Sequence, residues 1–238
     1  MPNLLILAHP LPPRALQELG SLESERTLST PYGPVGPFAR RRLPDGPDLW
    51  ILPYFGGPAR TDPRATLWAA KELDVQRILA WDSVIALVPD LRRGDIVLPR
   101  DYIDWTKHQP STFFERTGAG YIRQDPAFCP DISGAIAQHI PAAIPVVYLG
   151  AEGPRRETAA EAYMFAQWGA QVRGLNLVPE AYLAKELELC FAAVGVVTAL
   201  AAGLPQPPAG GEVRRADRTV LQALPALFDA LPQPPTCG

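Results

Sequence analysis

Two titratable side chains stand where apolar runs end, and both could move a proton. Asp82 follows the run 78–81 and His9 follows the run 4–8. A carboxylate at a strand's carboxyl end can orient and deprotonate a water; equally, it can cap the next turn or pair with a loop arginine. A neutral imidazole is a natural base, although a lone histidine after a first strand more often serves in packing. Tyr54, Trp81 and Trp105 have aromatic faces that suit either packing or a ligand. Cys129, Cys190 and Cys237 lack metal-ligand spacing, so no metal site is expected and a reduced state fits better than a disulfide scaffold.

These groups need a frame, and the stretch 150–197 supplies its grammar. A Glu152-Gly153-Pro154 turn leads into a helix-period segment ended by Gly169, the short apolar run 172–175, a helix opened by Pro179 and the apolar run 191–197. Such alternation predicts an α/β fold whose ligands lie outside the carboxyl ends of the strands. Glu152 and the loop 174–179 belong on that rim. Upstream, residues 4–8 predict a first strand and 13–19 a short helix, followed by paired strands at 35–42 and 49–53. A helix capped by Thr61 with Pro63 in its first turn comes next, then a buried strand at 78–83. Residues 216–231 predict a last helix interrupted at Pro225. The whole, 1–238, reads as one domain with a mixed central sheet flanked by helices.

Composition narrows the partners. A formal charge of −3 over 238 residues leaves no basic footprint for nucleic acid, and no run of eighteen apolar residues exists to span a membrane. The short run 4–8 lacks a basic flank and reads as a strand rather than a signal peptide. Cytoplasm is the expected location.

Several motifs give the chain a resemblance. Thr30-Pro31-Tyr32-Gly33, residues 64–73, Arg93-Gly94-Asp95-Ile96-Val97, Asp125 to Pro130, Glu152 to Arg155 with Thr158 and Glu161, the loop 174–180, Leu183 to Glu186 and Cys190-Phe191-Ala192 occur in this order. In them the chain resembles the trimeric nucleoside phosphorylases, the 5'-methylthioadenosine phosphorylases in particular. The resemblance implies the phosphorylase fold, a purine-type nucleoside as small-molecule partner, no cofactor and a homotrimer. By position it also implies that Glu157 faces the purine, that Leu175 and Asn176 line the sugar, and that Arg156 replaces a phenylalanine stacked on the base. An alternative reading of Glu157 is an exposed first-turn glutamate favoured by the helix dipole.

Departures from the pattern concentrate in the pocket. The Gly-rich phosphate turn after the first strand is Ala8-His9-Pro10, and proline has no amide hydrogen to offer an anion. The basic loop after the second strand of the pair is replaced by one that begins Tyr54-Phe55-Gly56, and Asp82 takes the place of a phosphate-binding threonine. Ala199 and Ala201 replace the carboxylates that hold adenine. Asp82 and His9 are therefore the catalytic candidates, with Glu157, Arg156, Leu175, Asn176, Tyr54 and Trp81 facing substrate. The expected reaction is N-glycosidic cleavage with water in place of phosphate. Two alternatives stand beside it: a scaffold turned to another small molecule, and an ordinary phosphorylase with a rebuilt phosphate site.

Overall fold

The computed structural model describes residues 2–43, 47–53, 62–115 and 121–235. Among the described residues nine strands form one mixed sheet: β1 (Asn3–Ala8), β2 (Ser21–Thr30), β3 (Gly33–Arg42), β4 (Asp48–Pro53), β5 (Arg77–Ala86), β6 (Ile96–Asp104), β7 (Ile144–Gly150), β8 (Val172–Gly174) and β9 (Cys190–Leu200). Their order is β2-β3-β4-β1-β5-β8-β7-β6-β9, and β9 pairs back onto β5. Five strands thus close on themselves, leaving β1 to β4 as an open wing. The wing strands β3 and β4 are antiparallel, as the paired runs predict, whereas β1 lies parallel to both β4 and β5.

The central strand is buried on both faces, which explains its unbroken apolar run. Ile78, Leu79, Ala80 and Trp81 are all fully buried. Asp82 interrupts that run and is buried just as completely. A charge-bearing group there demands partners, since an unpaired one costs several kcal/mol.

Helices flank the sheet: α1 (Pro13–Gln17), α2 (Pro63–Glu72), α3 (Pro130–His139), α4 (Ala159–Gln167), α5 (Glu180–Glu186) and α6 (Glu212–Asp229). α3 and α6 pack on each other and on β9, while α2 packs against β2, β3 and α5. The α2 cap is Asp62, whose carboxylate accepts from the Arg64 amide at 2.9 Å, in place of the expected Thr61, which lies outside the described residues. Pro63 occupies the first turn as predicted. Cys190 is disulfide-bonded, a departure from the reading of the cysteines as reduced. No helix among the described residues is long and apolar enough to cross a membrane.

Candidate functional site

Strand β5 runs on to Ala86, past the predicted end at 83, and its middle holds Asp82 in a tight polar knot. Tyr148 of β7 donates its hydroxyl proton to Asp82 Oδ2 at 2.8 Å, and Asn176 Nδ2 donates to Oδ1 at 2.8 Å. The same Tyr148 oxygen accepts from the Asn176 amide at 3.2 Å. Gly174 allows this arrangement, because a Cβ there would collide with the Tyr148 hydroxyl and Asp82 Oδ2. The Asn176 loop is thereby fastened to the central strand. Burial pushes the Asp82 carboxyl up to about 6, partly offset by the bonds from Asn176, Tyr148 and the Ser83 amide. Glu180, at the start of α5, is pushed up to about 7 by burial and by the charge of Asp82. Its Oε2 has no hydrogen-bond partner among the described residues.

The neighbouring residue on β5 turns to the other face, as strand alternation requires. Ser83 Oγ lies 2.8 Å from Nδ1 of His9, and Nε2 of that imidazole lies 2.7 Å from Asp217 Oδ1 on α6. Trp81 shares this face and stacks on His9, with ring centroids 5.3 Å apart and planes 3° from parallel.

A third cluster surrounds Glu157, just before α4. Its Oε2 accepts from Arg173 of β8 at 2.7 Å, and its Oε1 accepts from Arg156 and from the Ala202 amide, each at 3.2 Å. Burial raises this carboxyl, but the backbone amides and Arg173 outweigh it and hold the group below its ordinary value. Beside the pair opens a cleft of about 290 Å³, walled by Trp105, Phe165, His108, Glu152 and Arg155. Glu152 anchors that wall by accepting from the Lys107 and His108 amides at 2.9 and 2.6 Å. Thr158 and Glu161 form a reciprocal capping box at the α4 N-terminus, and Arg155 grips Glu161 with two bonds.

The sequence candidates therefore separate. Asp82 and Asn176 meet directly, with Leu175 half-buried beside Asn176. His9 and Trp81 lie together on the opposite face of β5. Glu157 and Arg156 are joined to each other, and the Arg156 guanidinium also donates to the Leu200 carbonyl at 2.9 Å. Tyr54 lies outside the described residues. Sequence reasoning overlooked Tyr148, Ser83, Asp217, Arg173 and Glu180. An arginine in a buried strand was a usable signal for Arg173, since such a group needs a carboxylate partner.

The chain matches the family model of the phosphorylase superfamily over residues 5–231. A probable S-methyl-5'-thioinosine phosphorylase of Methanothermobacter thermautotrophicus is 35% identical over 193 residues, spanning 79% of this chain and 69% of that protein. The S-methyl-5'-thioadenosine phosphorylase of Pyrococcus furiosus is 32% identical over 236 residues, spanning 92% and 91% of the two chains. Among solved structures, a methylthioadenosine phosphorylase from an antarctic soil metagenomic library shares the fold with a TM-score of 0.83 at 22% identity, over 94% of this chain and 84% of that one. With its closed sheet, its fastened Asn176 loop and a family match covering nearly its whole length, the chain belongs to the phosphorylase superfamily.

Proposed function

We propose that this protein cleaves the N-glycosidic bond of a purine-type nucleoside and delivers the sugar to water rather than to phosphate. Nucleoside cleavage is supported by relatives named as phosphorylases of methylthioinosine, methylthioadenosine and 6-oxopurine nucleosides. The choice of water is carried by Asp82, a buried carboxylate within the central strand β5, bonded to the Asn176 loop. A phosphate about 4 Å from an ionised Asp82 would be repelled by about 4 kcal/mol per unit charge at an effective dielectric near 20. Two arginines near in sequence could offset this: Arg60 lies outside the described residues, and Arg64 is held between Asp62 and Glu115 at 2.8 and 2.9 Å. Arg173 and Arg156 are committed to Glu157.

The same carboxylate suits a sugar that becomes cationic as its glycosidic bond breaks. Both Asp82 oxygens are already bonded, so its contribution is negative charge and loop anchoring more than proton uptake. Release of free base from inosine, adenosine and methylthioadenosine, followed with and without inorganic phosphate, tests the reading. Turnover independent of phosphate, yielding free sugar, is expected. Asp82→Asn, which keeps size and removes charge, should lower it at least about tenfold. A sugar 1-phosphate formed only when phosphate is present would return the protein to the phosphorolysis of its relatives. Failure to cleave under either condition would favour a scaffold turned to another ligand. We also infer a homotrimer, from the resemblance and from aromatic side chains left open on the surface.

A further inference from the structure

We propose that Ser83, His9 and Asp217 form a proton relay in which Ser83 Oγ meets the attacking water and His9 receives the proton. This rests on the hydrolytic reading above. The three residues come from just past β1, from within β5 and from α6, and His9 and Asp217 are 208 residues apart. His9 is 1% exposed and lies flat on Trp81 between its two partners, so it has no room to swing away from either.

Direction follows from donor and acceptor chemistry. An ionised Asp217 can only accept, so Nε2 of His9 carries the hydrogen. In the neutral imidazole Nδ1 is then bare and accepts the Ser83 hydroxyl proton. Ser83 Oγ consequently presents a lone pair to a ligand. It can take a hydrogen bond from water but has no proton to offer a phosphate oxygen. Ser83 is half-buried while His9 is sealed, which makes the serine the outlet of the chain.

The step balances without a further reactant. As the water oxygen bonds to the anomeric carbon, one water proton passes to Ser83 Oγ and the serine's own proton passes to His9 Nδ1, leaving an imidazolium beside Asp217. The glycosidic electron pair leaves with the base, which takes a proton from solvent, and His9 returns its proton to solvent. Ser83 is the catalytic residue of this relay, and Asp217 is a positioning residue that fixes the imidazole tautomer.

Cleavage by wild type, Ser83→Ala, Ser83→Thr and His9→Gln should be compared, with folding checked by circular dichroism. In parallel each protein is treated with phenylmethanesulfonyl fluoride, and the Ser83 peptide is weighed by mass spectrometry. Ser83→Ala and His9→Gln should lose about 100 to 10,000-fold in kcat with KM little changed. Ser83→Thr should retain more activity than Ser83→Ala, and the sulfonyl adduct should form on Ser83 of wild type but not of His9→Gln. Undiminished cleavage by Ser83→Ala or His9→Gln overturns the relay and leaves the hydrolytic reading standing. If wild type cleaves no nucleoside, that reading falls and labelling alone decides: a His9-dependent adduct on Ser83 sustains the relay, and no adduct, or one independent of His9, overturns it.

Discussion

A carboxylic acid sealed from water without a full set of donors keeps its proton longer, and Glu180 is in that position. It is 3% exposed and its carboxyl stands at about 7, against an ordinary 4.5, because of burial first and the charge of Asp82 second. Between those two values the folded chain binds more protons than the unfolded one. The stability this group contributes is therefore fully present below 4.5 and is lost as pH rises through 7. Asp82, raised to about 6, adds to the same trend in a slightly lower window. Glu180→Gln removes one ionisation while keeping shape, so stability should gain on the order of 1 to 3 kcal/mol near pH 8 and little near pH 4. Calorimetric melting at both pH values checks this. An equal fall of the melting temperature in wild type and variant would show that Glu180 ionises freely in the folded chain.

Elements matter here mainly through the joints between them, and Gly174 is the tightest. A methyl group at this position would displace the Tyr148 hydroxyl and the Asp82 carboxylate together. Gly174→Ala should thus cost about 1 to 3 kcal/mol of stability, as read by urea denaturation, and should lower kcat by weakening the Asn176 anchor. Wild-type stability and activity in this variant would mean that β7 and β8 can part without consequence. Much of this layer was legible in the sequence. Strands β1 and β5, the β3–β4 pair and helix α5 announce themselves through apolar runs and prolines. The α4 cap is readable too, as a threonine followed three residues later by a glutamate. Strand β2 was not legible: it is exposed along nearly its whole length, so Ser21–Thr30 carries no apolar alternation. Nor was the return of β9 onto β5, because a buried strand reads the same whichever neighbours it finds. The site split along the same line. Asp82 with Asn176 could be anticipated from the resemblance, whereas the bond between His9 and Asp217 spans 208 residues and leaves no local pattern.

At the scale of the whole molecule, several large aromatic side chains stay exposed among the described residues. The connection from β6 to α3 runs through residues 105–129, and its described parts hold no helix or strand. Connections of this length without secondary structure usually carry function or contacts. Tyr121 within it is fully exposed. Separately, Trp105 packs at 5.0 Å against Trp168, which is itself 46% exposed at the end of α4, and Tyr163 of α4 is 69% exposed. Large exposed aromatic groups are favoured in contact surfaces, and a stable interface needs about 800 Å² from each partner. A homotrimer would meet this need by repeating one head-to-tail interface between two different patches around a closed ring, so that no copy is left with an open edge. Light scattering should give a mass about three times 25.9 kDa. Tyr121→Asp, which sets a charge in the proposed interface, should shift the protein toward smaller species as it is diluted while leaving the circular dichroism spectrum unchanged. A mass of 25.9 kDa at every concentration would rule the trimer out and leave the aromatic patch to some other partner.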